Sequence, residues 1–244
     1  MKDNLQDLIS HIYGLSDIDI IKIMGTDTET NFAAVSQDQN GKIVIEGSFK
    51  GANPEFIGTF GMPNLGKLKT ILGFDEYDAS SKIYTFRDQA DNNVAKAFHF
   101  ENKGGDFVND YRLMAESIVK EKVSNVVFKG ATWDLEFTPT VEGIIRLKKQ
   151  AQANSEETTF KTKLENNELK IYFGDPATHS GNFVFQANCS GTLSRVFQWP
   201  VSLVIQVLGM VGDKTMRISD KGIIEIAIDS GVATYRYLIP AQSK

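Results

Sequence analysis

The chain has 244 residues, 41% hydrophobic and 23% charged, with a formal charge of −5. Such a composition can bury a sizeable core and excludes wholesale disorder; the single cysteine, Cys189, excludes an internal disulfide framework, and no apolar run reaches membrane-spanning length. The first residues, Met1 to Leu5, have neither the basic stretch nor the long apolar core of a signal peptide, so a cytoplasmic protein is expected. In chain order, 4–13 places Leu5, Leu8, Ile9 and Ile12 on one helical face with Asp3, Asp7 and Ser10 opposite. Strand-like runs follow at 18–24, 31–36 and 42–49, the last two joined by a Gln39-Asn40-Gly41 turn. Residues 56–60 lead into a second helix, where Leu65, Leu68 and Leu72 share a face, Lys67 points away and Lys69 lies at the flank. Further strands are expected at 82–87, 94–101 and 107–114, then a mixed connector at 115–132. The second half repeats the plan: a strand at 133–137, a helix to about 152, and strands at 158–164, 169–173, 183–189 and 194–199. A helix opened by Pro200 and strands at 214–219, 222–228 and 233–239 complete it, with Asp229-Ser230-Gly231 turning the final hairpin.

One unit recurs. An aromatic residue closing an extended run, then Pro, then about ten helix-forming residues, occurs at Phe60-Gly61-Met62-Pro63, Phe137-Thr138-Pro139 and Trp199-Pro200. Pro lacks an N–H and suits the first helical turn, so each copy reads as strand, corner, helix. The expected fold is therefore α+β, with two similar domains of antiparallel sheets and two helices each: 1–114, a connector at 115–132, and 133–244.

Motifs that would carry chemistry fail on spacing. Gly61-Met62-Pro63-Asn64-Leu65-Gly66-Lys67 resembles a phosphate-binding loop, but Leu68 stands where Ser or Thr would hold magnesium. His11, His99 and His179 have no partners at metal-ligand spacing. Cys189 sits in an alternating run and reads as a buried structural thiol. No nucleophile elbow or dinucleotide fingerprint occurs, so neither an enzyme nor a cofactor is expected. The basic residues are uneven: Val141, Ile144, Ile145 and Leu147 form the apolar side of the third helix, with Arg146, Lys149 and Gln150 towards the other and Lys148 near the boundary. Lys67 and Lys69 form a weaker equivalent.

The layout resembles a DNA polymerase sliding clamp of the ring type found in tailed phages, archaea and eukaryotes. The resemblance is carried by Trp199-Pro200-Val201, by Lys221-Gly222-Ile223-Ile224-Glu225-Ile226, and by the ending Tyr235-Arg236-Tyr237-Leu238-Ile239-Pro240. Val108-Asn109-Asp110-Tyr111-Arg112-Leu113-Met114 and Gly181-Asn182-Phe183-Val184-Phe185 are also similar to clamp sequence.

The resemblance implies a homotrimeric ring whose helices line a hole for double-stranded DNA, contacted without base reading through Lys67, Lys69, Arg146, Lys148 and Lys149. It implies a subunit interface between 107–114, with Phe107, Tyr111 and Leu113, and 183–189, with Phe183, Val184 and Phe185. It further implies that DNA polymerase docks on Val126, Val127 and Phe128 of the connector and on Tyr237, Leu238, Ile239, Pro240 and Ala241. A clamp-loader ATPase is the implied opener of the ring, and a bacterial cytoplasm the implied compartment if the clamp is phage-encoded. Three chains would carry three times −5, or −15, so retention on DNA would be topological rather than electrostatic. Asp3, Asp7 and Ser10 depart from the lysines clamps often place on the first helix. The competing reading is a non-catalytic structural or ligand-binding β-protein of a virion.

Overall fold

The computed structural model describes residues 1–36, 42–89, 93–123 and 130–242. Within them one plan recurs four times, a helix followed by three strands. The first copy comprises α1 (Lys2–Ile12), β1 (Ile20–Gly25), β2 (Thr30–Val35) and β3 (Val44–Phe49). The second has a lead strand, β4 (Gly58–Pro63), then α2 (Leu65–Leu72), β5 (Lys82–Asp88), β6 (Val94–Glu101) and β7 (Val108–Arg112). A helix, α3 (Glu116–Lys122), stands between the halves. The third copy is β8 (Leu135–Phe137), α4 (Val141–Ala153), β9 (Thr159–Glu165), β10 (Glu168–Gly174) and β11 (Ser180–Gln186). The fourth is β12 (Phe197–Pro200), α5 (Val201–Leu208), β13 (Asp213–Ser219), β14 (Ile223–Asp229) and β15 (Ala233–Pro240).

The contacts divide the chain into two compact units: Met1–Val35, Ile45–Val126 and Ser230–Tyr235 form the first, and Ser36–Val44, Val127–Asp229 and Arg236–Lys244 the second. In the first, the lead strand β4 leaves its own module and pairs with β1, giving the order β4-β1-β2-β3, while β5-β6-β7 form a separate sheet. In the second the exchange is reciprocal. Strand β12 joins β9, and β8 joins β13, giving β11-β10-β9-β12 and β15-β14-β13-β8. Backbone hydrogen bonds thereby tie the two modules of each unit together.

The first core is built from Leu5, Leu8 and Ile12 of α1 and Leu65, Leu68 and Ile71 of α2, with Ile21, Ile23, Phe60, Phe98 and Phe100 from the strands, all buried. In the second, α5 buries Val204 and Val207, and Trp199 is fully buried with its indole N–H donating to Thr162 Oγ1 at 2.8 Å. Burying that ring at no cost to its polar edge is what makes it a usable core residue.

Three expectations about local structure change. The prolines do not occupy the first helical turn. Pro63 ends β4, and the cap of α2 is Asn64, left-handed at φ 56°, whose side chain accepts from the Lys67 N–H. Pro139 precedes the cap Thr140, whose side chain accepts from the Gly143 N–H, and Pro200 itself is the cap residue of α5. Pro63 and Pro200 are the last residues of β4 and β12, and Asn64 and Thr140 supply side-chain caps that α5 lacks. Within the expected connector, α3 buries Val119 over β4, where Gly61 leaves room: a Cβ on Gly61 would lie 2.8 Å from Val119 Cγ2. Asp7 turns out not to face water, as described below. The Gln39-Asn40-Gly41 turn lies outside the described residues. No helix among them is long and apolar enough to cross a membrane.

Candidate nucleic-acid interface

Two glycines set the roll of α4. A Cβ on Gly143 would lie 2.5 Å from the Phe185 carbonyl oxygen, and one on Gly181 would lie 2.3 Å from Gln150 Oε1, so the helix rides directly on β11. Gly143, Leu147 and Asn154 face inwards, and the outward stripe is Val141, Ile145, Lys148, Lys149 and Gln152. The expected apolar side is corrected accordingly: Val141 is 75% exposed and Ile145 45%. Close backbone approach decided the roll, because it requires glycine, not an apolar side chain, at the contact.

Along that stripe Arg146 is partly neutralised by Glu142, at 2.5 Å one turn away. Lys148 and Lys149 are exposed and make no ion pair among the described residues. Lys214, which sequence reading missed, adds to the same surface. Its ammonium donates to the Gly212 carbonyl at 2.9 Å, and its pKa is lowered by burial first and by the charge of Lys148 as well. The neighbouring Asp213 carboxylate acts the other way and offsets part of this, so Lys214 extends the cationic surface only weakly. Helix α5 exposes Ser202, Gln206 and Gly209, with no charge of its own.

In the first unit, α2 exposes Lys67 and Lys69, the latter with Nζ 4.8 Å over the Tyr13 ring. Helix α1 exposes Asp3, Gln6 and Ser10, but Asp7 is committed inwards. Asp7 Oδ2 accepts from the Tyr235 hydroxyl at 2.5 Å and from Ser230 at 3.0 Å, while His11 stacks on Tyr235 at 4.5 Å. Several strand cations are neutralised instead: Lys163 and Lys170 by Glu165 at 2.6 and 3.2 Å, Lys82 by Glu101 at 2.7 Å, and Arg217 by Glu136 at 2.8 Å and the fully buried Glu225 at 2.7 Å. Among the described residues Lys67, Lys69, Lys148 and Lys149 make no ion pair, a property they share with Lys161 on β9 and with Lys103 and Lys221 in loops; what sets them apart is their place on exposed helix faces.

The residues expected at a subunit interface are divided. Strands β7 and β11 are the edges of their sheets. Phe107, Leu113, Phe183 and Val184 are half-buried, whereas Tyr111 and Phe185 are buried in their own cores. The Tyr111 hydroxyl donates to the Pro63 carbonyl, and burial pushes its pKa well up. Of the expected peptide groove, Tyr237, Leu238 and Ile239 are core residues of β15, Pro240 is exposed and Ala241 half-buried. Three consecutive buried residues mean that both faces of the strand are covered there, which is why these side chains are not open to a ligand. Val126, Val127 and Phe128 lie outside the described residues. Cys189 is buried, and burial raises its thiol pKa.

The fold is that of the DNA sliding clamps. The chain superimposes over its full length on PCNA from A. fulgidus, in a structure with the C-terminal region of FEN-1 bound, at 10% identity and a TM-score of 0.69, covering 96% of that chain. PCNA from Thermococcus kodakaraensis matches 99% of the chain at 9% identity and a TM-score of 0.67, with 97% of its own length covered. The DNA polymerase III subunit beta from Pseudomonas aeruginosa matches 99% of the chain at 15% identity and a TM-score of 0.69, and the match spans 65% of that longer protein. No protein-family model matches the sequence, and no curated protein matches it.

Proposed function

We propose that this protein is a sliding clamp that encircles duplex DNA and tethers a DNA polymerase. The observation that carries the reading is the pairing of this fold with exposed lysines on outward helix faces, Lys67 and Lys69 on α2 and Lys148 and Lys149 on α4, none of which makes an ion pair among the described residues. Point charges on long side chains neutralise phosphates without reading bases, which a protein moving along DNA requires. With a net charge of −5 the chain is not a strong free DNA binder, so retention depends on ring closure and, in the cell, on a loader ATPase. The ring is a homotrimer closed edge to edge through β7 and β11. Polymerase docks beside Pro240 and Ala241; the connector residues Val126, Val127 and Phe128 expected to take part lie outside the described residues.

Light scattering tests assembly, with a mass of three chains expected at micromolar concentration. Replacing Val184 with Pro on the β11 edge should yield monomer; a folded V184P protein that stays trimeric places the interface elsewhere.

A further inference from the structure

The first unit holds a cavity of about 560 Å³ between β4 and β6, flanked by residues 115–117. That volume is within the roughly 300–1,000 Å³ of ligand clefts. Its wall is an open strand edge. Gly61 exchanges both backbone hydrogen bonds with Met114, at 2.9 and 2.8 Å. Its one N–H is therefore turned away from β1, so the Lys22–Gly61 pair of the β1–β4 ladder is the unbonded kind. By the alternation of an antiparallel ladder, Thr59, opposite Met24, presents its N–H and C=O on the same outward side as Gly61. The chain leaving Met114 turns into α3 at Glu116 instead of continuing along β4, so the ladder stops one pair short. On the opposite wall, the Lys96 carbonyl accepts from the Leu113 N–H at 2.9 Å, near where β7 departs.

The charge of the slot is positive. Arg87 is anchored through Nη1 to the Asn93 carbonyl at 3.3 Å and Nη2 to the Glu55 carbonyl at 3.1 Å, which leaves further N–H donors of its five. The one lining carboxylate, Glu116, is held by Lys120 at 2.6 Å. We infer that this slot binds an extended, acidic peptide segment of a partner protein, which adds a strand to β4 at Thr59 and sets a carboxylate on Arg87. The inference does not depend on DNA binding.

The probe is a synthetic acetylated octapeptide of alternating Thr and Val with one Asp near its C-terminal end, titrated into the full chain by calorimetry. Saturable binding is expected, weakened at least tenfold when Asn replaces the Asp, and abolished by Thr59→Pro, which removes the edge N–H, or by Ser117→Trp, which fills the slot. Amide exchange at Thr59 should be fast in the free chain and slowed by the peptide. No binding at millimolar peptide, or equal affinity in a folded Ser117→Trp protein, overturns the proposal. So does a Thr59 amide already protected without peptide, which would mean that the chain itself or a second copy fills the slot.

Discussion

Helices α1 and α4 open equivalent modules and use their polar sides in opposite ways. Helix α1 turns Asp7 inwards as acceptor for Tyr235 and Ser230, so its outward side keeps only one charge, Asp3. Helix α4 seats itself with glycine and leaves Lys148 and Lys149 outside. One module plan therefore supports either an anchor for a distant hairpin or a cationic surface. What the two share is only a buried side, Leu5, Leu8, Ile9 and Ile12 in α1 and Gly143 and Leu147 in α4; the outward side varies, and in α4 it includes the apolar Val141 and Ile145.

The difference can be broken by substitution, beginning with the seat of α4. Gly143→Val drives a side chain into the Phe185 carbonyl, 2.5 Å from where its Cβ would lie. It is expected to cost about 1–3 kcal/mol or more, read as a drop of roughly 2–4 °C in Tm per kcal/mol. The matched change on α1, Gln6→Val at an exposed site, should stay within about 0.5 kcal/mol. Next, Asp7→Ala removes the acceptor of two largely buried hydroxyls and should cost about 1–3 kcal/mol by chemical denaturation. Lys148→Ala with Lys149→Ala should fall within about 0.5 kcal/mol, since both side chains are exposed and the one close neighbour of Lys148, Gly209 at the end of α5, is itself exposed. If Asp7→Ala is silent and the lysine pair is costly, the contrast is wrong.

This contrast was only partly legible in the sequence. The run 94–101 alternates and ends in turn residues, and β6 spans those residues; the buried face of α1 also follows from periodicity. The roll of α4 did not follow, because Val141 and Ile145 imitate a core stripe while the true contact is made by Gly143, which has no apolar signal. Asp7 meets Tyr235 across 228 positions, a pairing that no local pattern carries. Helix α3 was missed because a short charged run with Val119 as its single buried anchor has no periodicity to read. Lys214 was missed for a related reason: it lies on a strand and reaches the α4 surface only in three dimensions.

Smaller effects refine the picture. Lys148→Glu with Lys149→Glu should lower the salt slope of duplex binding by about 2 for each subunit that contacts the duplex, one for each lost phosphate contact, for any DNA sequence. Lys67→Glu with Lys69→Glu should act in the same direction and less strongly, since Lys69 is drawn over Tyr13. Sequence-dependent losses would contradict contacts made only to the backbone. The smallest effect concerns the strands. Glu165 is held down to about 2 from its ordinary 4.5 by hydrogen bonds from Lys163, Lys170 and Tyr172. Because its folded value lies below the unfolded one, its contribution is full above about pH 4.5 and is lost as pH falls towards about 2. Glu165→Gln should flatten stability across that acid window and leave it unchanged in shape near neutrality, as measured by denaturant melts at stepped pH.

The central claim, a ring held on DNA by topology, is tested most directly by retention on circular and cut DNA. Protein assembled on nicked circular DNA at micromolar concentration, then washed at a salt concentration that strips electrostatic contacts, should stay with the circle and be released when a restriction enzyme opens it. Equal retention on circular and linear DNA, or loss from both in the wash, would contradict it.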